Sequence, residues 1–325
     1  MTDDIPAVSI QGLSKRFGRV LALDGLTLDI RQNELFAILG PNGAGKSTLM
    51  MAICTLLRPD AGTITLAGTD VLRRPRQARR NLGVVFQDPS LDTRLSVWEN
   101  LDFHGRVYGV PGRLRRERID ALLEHAGLAD ARDRIVRGLS TGMKRRIEII
   151  RALIHDSRVM ILDEPTVGLD PHSRARLWEY LAQVRRDKQV TLIVTTHYID
   201  EVEHCDRVCI IDHGRLLALD TPAGLKAAHG QQTLRLTARD APTAAAIRAA
   251  YPPAVQTPEG EIILTLTEDA TEDRVLATWG THLRRFAVET SSLEGVFLRL
   301  TGRDIREAKG PDHAGERRRG QEPRM

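Results

Sequence analysis

A glycine-rich segment between a predicted strand and a predicted helix constrains this chain more than any other feature. Residues 40–47, Gly-Pro-Asn-Gly-Ala-Gly-Lys-Ser, fit the pattern G-x-x-x-x-G-K-[ST], with apolar Ile38-Leu39 before them and a helix predicted from Lys46 to about Leu57. Glycines let backbone N–H groups converge on a phosphate, and the helix N-terminus adds positive potential. The alternative is a chance glycine loop, which the strand-to-helix context disfavours.

Two side chains in this segment carry the chemistry of a phosphate site. Lys46 supplies a point charge for the β- and γ-phosphates of a nucleotide, and Ser47 offers a hydroxyl to Mg²⁺. The sequence therefore predicts a phosphate-binding loop over residues 40–48. Its predicted nucleotide contacts are Gly40, Pro41, Asn42, Gly43, Ala44, Gly45, Lys46, Ser47 and Thr48.

An apolar strand that ends in two acids is the second informative feature. Val159–Leu162 is uninterrupted and apolar, which is typical of a fully buried parallel strand, and Asp163-Glu164 follow it. Ligands of open α/β sheets bind at the carboxyl ends of strands. Asp163 is therefore a candidate Mg²⁺ ligand and Glu164 a candidate general base. The alternative is that the two acids cap the helix after Pro165.

Strands and helices alternate along most of the chain, which predicts an α/β fold with a mostly parallel central sheet. A helix-rich insert interrupts this alternation at roughly 95–140. After Gly230 alternating strands and an Ala-rich helix predict a small α+β unit. We predict domains at 1–230, with a helical subdomain at about 95–155, and at 231–302, followed by a disordered polar tail at 303–325.

Charge and hydropathy limit the class of protein. The 47 basic and 43 acidic residues give a net charge of +4, too even a balance to indicate nucleic acid as a partner. Apolar runs such as Leu35–Leu39 fall short of the ~18–20 residues that span a bilayer, and the N-terminus does not resemble a signal peptide. If the chain serves a membrane process, we expect another chain to cross the membrane.

Six elements, taken in order, resemble the ATP-binding subunits of ABC transporters over about residues 5–228. They are the loop at 40–48, Gln87, the segment Leu139-Ser140-Thr141-Gly142-Met143, the acidic strand 159–164, Leu169-Asp170, and His197. The resemblance implies the P-loop NTPase core of an ABC ATPase, with an antiparallel β subdomain and a helical subdomain. The small C-terminal α+β domain adds to that core.

The resemblance also implies roles for single residues. Phe17 would stack on adenine, although a partly buried strand residue is the alternative for it. Gln87 would sense Mg²⁺ and the attacking water, and His197 would contact the γ-phosphate. The implied catalytic residues are Glu164, His197 and Lys46, and the implied metal ligands are Ser47, Gln87 and Asp163.

The signature segment is expected to serve a second copy of the chain. In the family, Ser140 and Gly142 complete the ATP site of the opposite subunit, and Asp170 couples the two sites. A simple helix N-cap is the other interpretation of Ser140, and both can hold. The sequence departs from the usual Leu-Ser-Gly-Gly-Gln at Thr141 and Met143, but the Ser140 hydroxyl and the Gly142 backbone remain.

The sequence is most similar to ATPases of ABC-2 type exporters of the daunorubicin-resistance kind. The segments behind this are 86–92, 139–143, 195–198 and 292–298. The expected function is an ATP hydrolase that uses ATP and Mg²⁺ as a dimer. It would drive a separately encoded permease at the cytoplasmic face of the membrane, as a peripheral protein with no nucleic-acid partner. The alternatives are an ABC ATPase acting on ribosomes or DNA, and a non-hydrolytic regulatory module.

Overall fold

The computed structural model describes residues 5–230, 232–252, 254–257, 260–266, 270–289 and 292–302. The strands are β1 Val8–Phe17, β2 Val20–Ile30, β3 Leu35–Leu39, β4 Ala61–Leu66, β5 Thr69–Asp70, β6 Leu82–Val85, β7 Val159–Asp163, β8 Thr191–Thr195, β9 Arg207–Asp212, β10 Arg215–Asp220, β11 Thr233–Ala238, β12 Val255–Gln256, β13 Ile262–Thr265 and β14 Leu283–Glu289. The helices are α1 Lys46–Ile53, α2 Pro75–Arg80, α3 Val97–Val107, α4 Gly112–His125, α5 Thr141–Leu153, α6 Pro171–Lys188, α7 Ile199–Val202, α8 Pro222–His229, α9 Ala241–Ala250, α10 Glu272–Trp279 and α11 Leu293–Thr301.

A six-stranded sheet in the order β10-β9-β3-β8-β7-β6 forms the middle layer. Its strands pair in parallel except at the β9–β10 hairpin. Alternate residues of β3 enter different cores: Leu35, Ala37 and Leu39 join one buried cluster, and Phe36 and Ile38 join the other. Burial on both faces is why the central strands carry uninterrupted apolar runs.

Different elements cover the two faces of this middle layer. An antiparallel sheet in the order β2-β1-β4-β5, together with α1, shares the cluster of Phe36 and Ile38. Helices α3 to α6 share the cluster of Leu35 and Leu39. The helical part of the chain therefore lies on the face of the central sheet opposite to the antiparallel sheet.

The C-terminal part forms its own sheet and core. Its elements run β11-α9-β12-β13-α10-β14, and the sheet order is β12-β13-β11-β14 with antiparallel pairing. This is the arrangement of a ferredoxin-like fold. Its buried cluster includes Leu234, Leu236, Ile247 and Val275. Helix α11 then returns to the ATPase-like core, where Val296 and other residues join the cluster of α3 to α6.

The predicted fold class is confirmed: an α/β core carries an antiparallel β subdomain, a helical subdomain and a C-terminal α+β unit. The stretch 26–39 does not form one strand, because the chain turns at Asn33 (φ 54) and β2 and β3 lie in different sheets. The domain boundaries stay a prediction, and the tail 303–325 lies outside the described residues. Among the described residues, none of the helices combines the length and apolarity needed to cross a bilayer.

Candidate functional site

The register of four parallel strands brings the predicted site residues to one edge of the sheet. Ile38 in β3 pairs with Thr195 in β8, which pairs in turn with Asp163 in β7. Val85 of β6 pairs with Leu162 of β7. The residues that follow these strands, from the glycine loop to His197, therefore start from neighbouring positions at the carboxyl edge, where ligands of such sheets bind.

The loop between β3 and α1 is folded tightly by its glycines. Gly43 and Gly45 have φ values of 80° and 105°, a region that other residues rarely adopt. A side chain at Gly45 would also collide with the carbonyl oxygen of Ala22. Pro41 and Ala44 are buried in the loop. Asn42, Gly43 and Ser47 are exposed, Gly40 is buried at the end of the strand, and Gly45 and Thr48 are half-buried.

The turn of the β9–β10 hairpin packs against the glycine loop and supports it. Gly214 has a φ of 76°, donates its N–H to the carbonyl of Ala44 at 2.9 Å, and accepts from the Asp24 N–H at 3.0 Å. A Cβ at Gly214 would stand 2.6 Å from the Ala22 carbonyl oxygen. The sequence predicts this turn as a hairpin, but its role in supporting the loop depends on tertiary packing.

Lys46 is buried at the start of α1 and points back to the loop. Its Nζ donates to the carbonyl oxygens of Gly40 at 2.6 Å and Pro41 at 3.1 Å. Burial lowers the pKa of the Lys46 ammonium, and the negative charges of Glu164 and Asp163 oppose that shift. The lysine and the two acids therefore share one electrostatic environment.

Thr195 orients both acids at the end of β7. Its hydroxyl donates to Asp163 Oδ1 at 2.6 Å and accepts from the Glu164 N–H at 3.0 Å. Glu164 has a φ of 44°, a left-handed conformation that is uncommon for a residue with a side chain, and its N–H also reaches the Thr195 carbonyl at 3.1 Å. These bonds hold Glu164 in a strained turn, and the sequence analysis did not assign Thr195 this role.

Glu164 and His197 face each other across the strand ends. Glu164 Oε2 lies 3.3 Å from His197 Nδ1, and the two side chains are 17% and 29% exposed. The hydrogen bond with His197 lowers the pKa of Glu164, burial opposes it, and the charges of His197 and Lys46 add to the lowering. Glu164 is therefore a carboxylate at neutral pH, in a position that water can reach.

Gln87 is exposed just after β6, and the buried Arg145 connects its backbone to the acidic strand end. The Arg145 guanidinium donates to the carbonyls of Phe86 at 2.6 Å and Gln87 at 3.4 Å. It also donates to the carbonyls of Glu164 at 3.2 Å and Pro165 at 2.8 Å. One side chain thus fixes the backbone of two candidate site loops, and the sequence analysis missed it.

A buried carboxylate balances the charge of Arg145. Arg145 Nη1 lies 3.0 Å from Glu148 Oε2, and the side chains are 7% and 2% exposed. The other oxygen, Oε1, accepts from the N–H of Ser90 at 2.8 Å, further along the loop that contains Gln87. Arg145 is one of four basic residues on α5, which is a weak sequence signal, so only the structure distinguishes it from the half-buried Lys144, Arg146 and Arg151.

We expect Arg145→Leu to destabilise the chain, because it leaves the Glu148 carboxylate buried without its cation. Removing one partner of a buried ion pair costs about 3–5 kcal/mol, and the free energy of unfolding measured in urea should fall by about that amount. Arg176→Leu, an exposed arginine of α6, is the matched control and should change the value by less than about 0.5 kcal/mol. Equal effects of the two substitutions would contradict the assignment of Arg145 as an anchor.

The signature residues lie at the start of α5, beside the start of α6. Ser140 is the N-cap of α5, and its hydroxyl accepts from the Met143 N–H at 3.2 Å. Asp170 is the N-cap of α6 and accepts from the Ser173 N–H at 3.0 Å. A hydrogen bond with the Ser173 side chain, together with this backbone bond, lowers the pKa of Asp170. A Cβ at Gly142 would stand 3.4 Å from Ser173 Oγ. Ser140 therefore caps its own helix, as the simpler interpretation predicts, and it is exposed.

Phe17 stands apart from these groups at the end of β1 in the antiparallel sheet. Its ring is 47% exposed, and Lys15 Nζ lies 5.5 Å from the ring centroid. This partial exposure at the end of a strand fits the alternative of a partly buried strand residue, and it also leaves part of the ring open to a ligand. The ring is available for stacking on a planar ligand.

Comparison with known proteins agrees with this geometry. The profile of the family described as "ABC transporter" matches residues 23–167. The chain is 41% identical to the Nod factor export ATP-binding protein I of Rhizobium sp. (strain N33), with 92% of this chain and 98% of that protein covered. It is 38% identical to the daunorubicin/doxorubicin resistance ATP-binding protein DrrA of Streptomyces peucetius, with 93% and 94% covered.

Solved structures agree as well. The chain superposes on cbiO1 from Clostridium perfringens, part of the ABC transporter complex cbiONQ, with a TM-score of 0.64 and 31% identity, over 69% of this chain and 91% of that one. It also matches the dimeric structure of a post-hydrolysis ATP-binding cassette bound to ADP and Pi, with a TM-score of 0.58 and 25% identity, over 66% and 98% of the two chains.

Proposed function

Because this chain belongs to the ABC transporter family as an ATP-binding, ATP-hydrolysing subunit, we propose that it powers export through a separate ABC-2 type permease. The observation that supports its hydrolytic step is the approach of Glu164 and His197 to 3.3 Å, on the sheet edge that also presents Lys46. A base, a proton donor and a cation at one strand edge suit phosphoryl transfer to water.

The glycine loop would hold the phosphates of ATP. The N–H groups of Gly43 to Thr48 and the positive end of α1 suit an anion, and Lys46 Nζ would exchange its carbonyl partners for phosphate oxygens. Phe17 would stack on adenine, since its exposed ring needs no particular hydrogen bond to accept a purine face. Exposed Asn42 would line the same loop.

The side chains near the loop fit Mg²⁺ by their donor chemistry. Ser47 supplies an exposed hydroxyl, Asp163 keeps one carboxylate oxygen beyond its bond with Thr195, and Gln87 supplies an amide oxygen. Mg²⁺ prefers oxygen ligands and usually keeps waters and nucleotide phosphates alongside one or two carboxylates. The described residues hold no group of three or more His, Cys, Asp or Glu side chains that could bind a metal. When bound, Mg²⁺ supplies charge neutralisation at the phosphates.

Glu164 would take a proton from the attacking water. Its pKa is low in the free chain because of His197, and the phosphate charges of bound ATP would raise it through like-charge repulsion. That shift moves the carboxylate toward the basicity that suits proton transfer near neutral pH. His197 would present its second ring nitrogen to the γ-phosphate while Nδ1 faces Glu164.

A second copy of the chain would complete each ATP site. Ser140, Gly142 and Asp170 lie at adjacent helix starts, where N–H groups and helix dipoles suit a phosphate. Because the Ser140 hydroxyl caps its own helix in the single chain, the partner's nucleotide would lie against the first turn of α5. Thr141 and Met143, which replace Gly and Gln, leave that first turn helical.

The permease would dock beside Gln87 and the helical insert. Exposed apolar side chains there include Phe86, Phe103 and Val107. A protein partner rather than water is expected to cover such side chains. The export proposal rests on two relatives named for Nod factor export and for daunorubicin resistance. The same names disfavour a role on ribosomes or DNA. The chain would then act as a peripheral protein at the cytoplasmic face of the membrane.

The test uses the full chain expressed in its native host, so that its own membrane proteins are present. We expect the purified chain to convert ATP to ADP and phosphate, and EDTA to reduce the rate at least about tenfold because Mg²⁺ neutralises the phosphates. An integral membrane protein with ABC-2 type spans should co-purify from membranes and change that rate. A chain that hydrolyses ATP but co-purifies with ribosomes instead would contradict the transport role and leave the ATPase role intact.

A further inference from the structure

The imidazole of His197 has a second neighbour besides Glu164. The ring centroid of Tyr198 lies 4.2 Å from that of His197, with the planes inclined at 37°. The first neighbour, Glu164, places its Oε2 3.3 Å from His197 Nδ1. The position of the imidazole therefore depends on the Tyr198 ring as well as on the carboxylate.

The Tyr198 ring also contacts Arg174, which lies on the first turn of α6. Arg174 Cζ lies 4.1 Å from the ring centroid of Tyr198. A guanidinium over an aromatic face is attracted by the ring and stacks on it as a plane. Tyr198 is thus in contact with a cation of one element and with the imidazole of another.

A buried acid fixes Arg174 and the His197 loop together. Arg174 Nε lies 3.6 Å from Glu201 Oε1, and the Glu201 side chain is 3% exposed. Glu201 Oε2 accepts from the Thr196 hydroxyl at 2.6 Å, and that hydroxyl accepts from the Tyr198 N–H at 3.0 Å. Glu201 is thus connected to the Tyr198 ring through Arg174 and to the Tyr198 backbone through Thr196.

The same turn of α6 reaches the residues proposed to face the second copy. The Arg174 N–H donates to the Asp170 carbonyl at 2.9 Å, and this hydrogen bond closes the first turn of α6. Ser173 lies between these two residues in the sequence. Its N–H donates to the Asp170 side chain, and its own side chain lies next to Gly142. Asp170 and Gly142 are therefore connected to the backbone of Arg174 through one helical turn and Ser173.

We infer that Tyr198 and Arg174 are positioning residues for the His197 imidazole, and that they relay the position of the first turn of α6 to it. The inference rests on the proposed role of His197 in hydrolysis. Because a misplacement of about 1 Å can cost about a hundredfold in rate, an imidazole that loses its aromatic neighbour meets the γ-phosphate less often. Nucleotide binding, which depends on the loop at Lys46, is unaffected.

The test compares kcat and KM for ATP in the full-length chain with three substitutions. Tyr198→Ala should lower kcat about tenfold or more with KM within about threefold, the signature of a lost transition-state interaction. Tyr198→Phe keeps the ring and should stay within about twofold of the parent. His197→Ala serves as the reference and should lower kcat at least as much as Tyr198→Ala.

Substitutions of the arginine supply a second, independent comparison. Arg174→Lys keeps a cation for Glu201 but loses the planar stack, and should lower kcat about threefold or more. Combining it with Tyr198→Ala should add little, because the two residues act as a unit. Arg176→Gln, exposed on the same helix, is the matched control and should leave kcat unchanged.

The outcomes separate the inference from the proposal beneath it. If His197→Ala lowers kcat while Tyr198→Ala and Arg174→Lys match the parent, the positioning role is wrong and the hydrolytic role of His197 stands. If His197→Ala itself matches the parent, the role of His197 fails and the inference fails with it. Should Tyr198→Ala not fold, as judged by thermal unfolding, the contrast between Arg174→Lys and Arg176→Gln decides.

Discussion

Glu164→Gln should abolish most ATP turnover while leaving ATP bound. The amide is nearly the same size as the carboxylate but cannot accept the proton of the attacking water, so we expect kcat to fall by about 10²–10⁴-fold, the range that a general base contributes. The loop at Lys46 is untouched, so nucleotide affinity should persist. The rate is measured by phosphate release, and the oligomeric state with ATP and Mg²⁺ by light scattering.

The dimer provides the second observation for this variant. Because product formation would be blocked, ATP should hold two copies of Glu164→Gln together, whereas the parent returns to the monomer as ATP is consumed. Glu179→Gln, an exposed acid on α6, is the control and should hydrolyse ATP like the parent. Parental turnover in Glu164→Gln would show that another group activates the water.

Lys46→Ala is expected to have a comparable effect by a different route. The substitution removes the ammonium that is buried against the Gly40 and Pro41 carbonyls and that would meet the β- and γ-phosphates. Loss of a preorganised cation at developing phosphate charge typically costs about 10²–10³-fold in kcat. ATP affinity should weaken as well, which separates this variant from Glu164→Gln.

Titration with a fluorescent ATP analogue measures the affinity, and phosphate release measures the rate. Lys188→Ala, at the exposed end of α6, makes the same change in charge and should leave both quantities within about twofold of the parent. Unchanged affinity and unchanged turnover in Lys46→Ala would place the phosphate site elsewhere in the chain.

The elements that the sequence predicts best are those with a local signal. Helix α5 spans Thr141–Leu153, where Ser140 provides an N-cap and apolar residues recur with helical spacing. Strand β14 was not predicted, because its Arg284-Arg285 pair interrupts the apolar alternation, and pairing with β11 decides its structure. Tertiary pairing overrides a weak local preference there.

The candidate site divides in the same way. The glycine loop, Asp163 and Glu164 each carry a local pattern, whereas His197 is indicated by the family resemblance, and the structure places all of them at one sheet edge. Arg145 carries none, because it is one of several basic residues on α5. Its identity as a link between two loops follows only from hydrogen bonds to carbonyls at distant sequence positions.

The sequence by itself determined the chemistry that is available: a phosphate-binding loop, two acids after a buried strand, and an α/β alternation that ends in a small α+β unit. The tertiary structure alone decided which of these groups meet. The spatial order β3-β8-β7-β6 differs from the chain order, and hydrogen bonds between strands far apart in sequence set it. It also decided the left-handed turn at Glu164 and the stack of Arg174, Tyr198 and His197. The physical reason is that local patterns select helix or strand, whereas strand order, register and side-chain contacts are set by packing between distant segments.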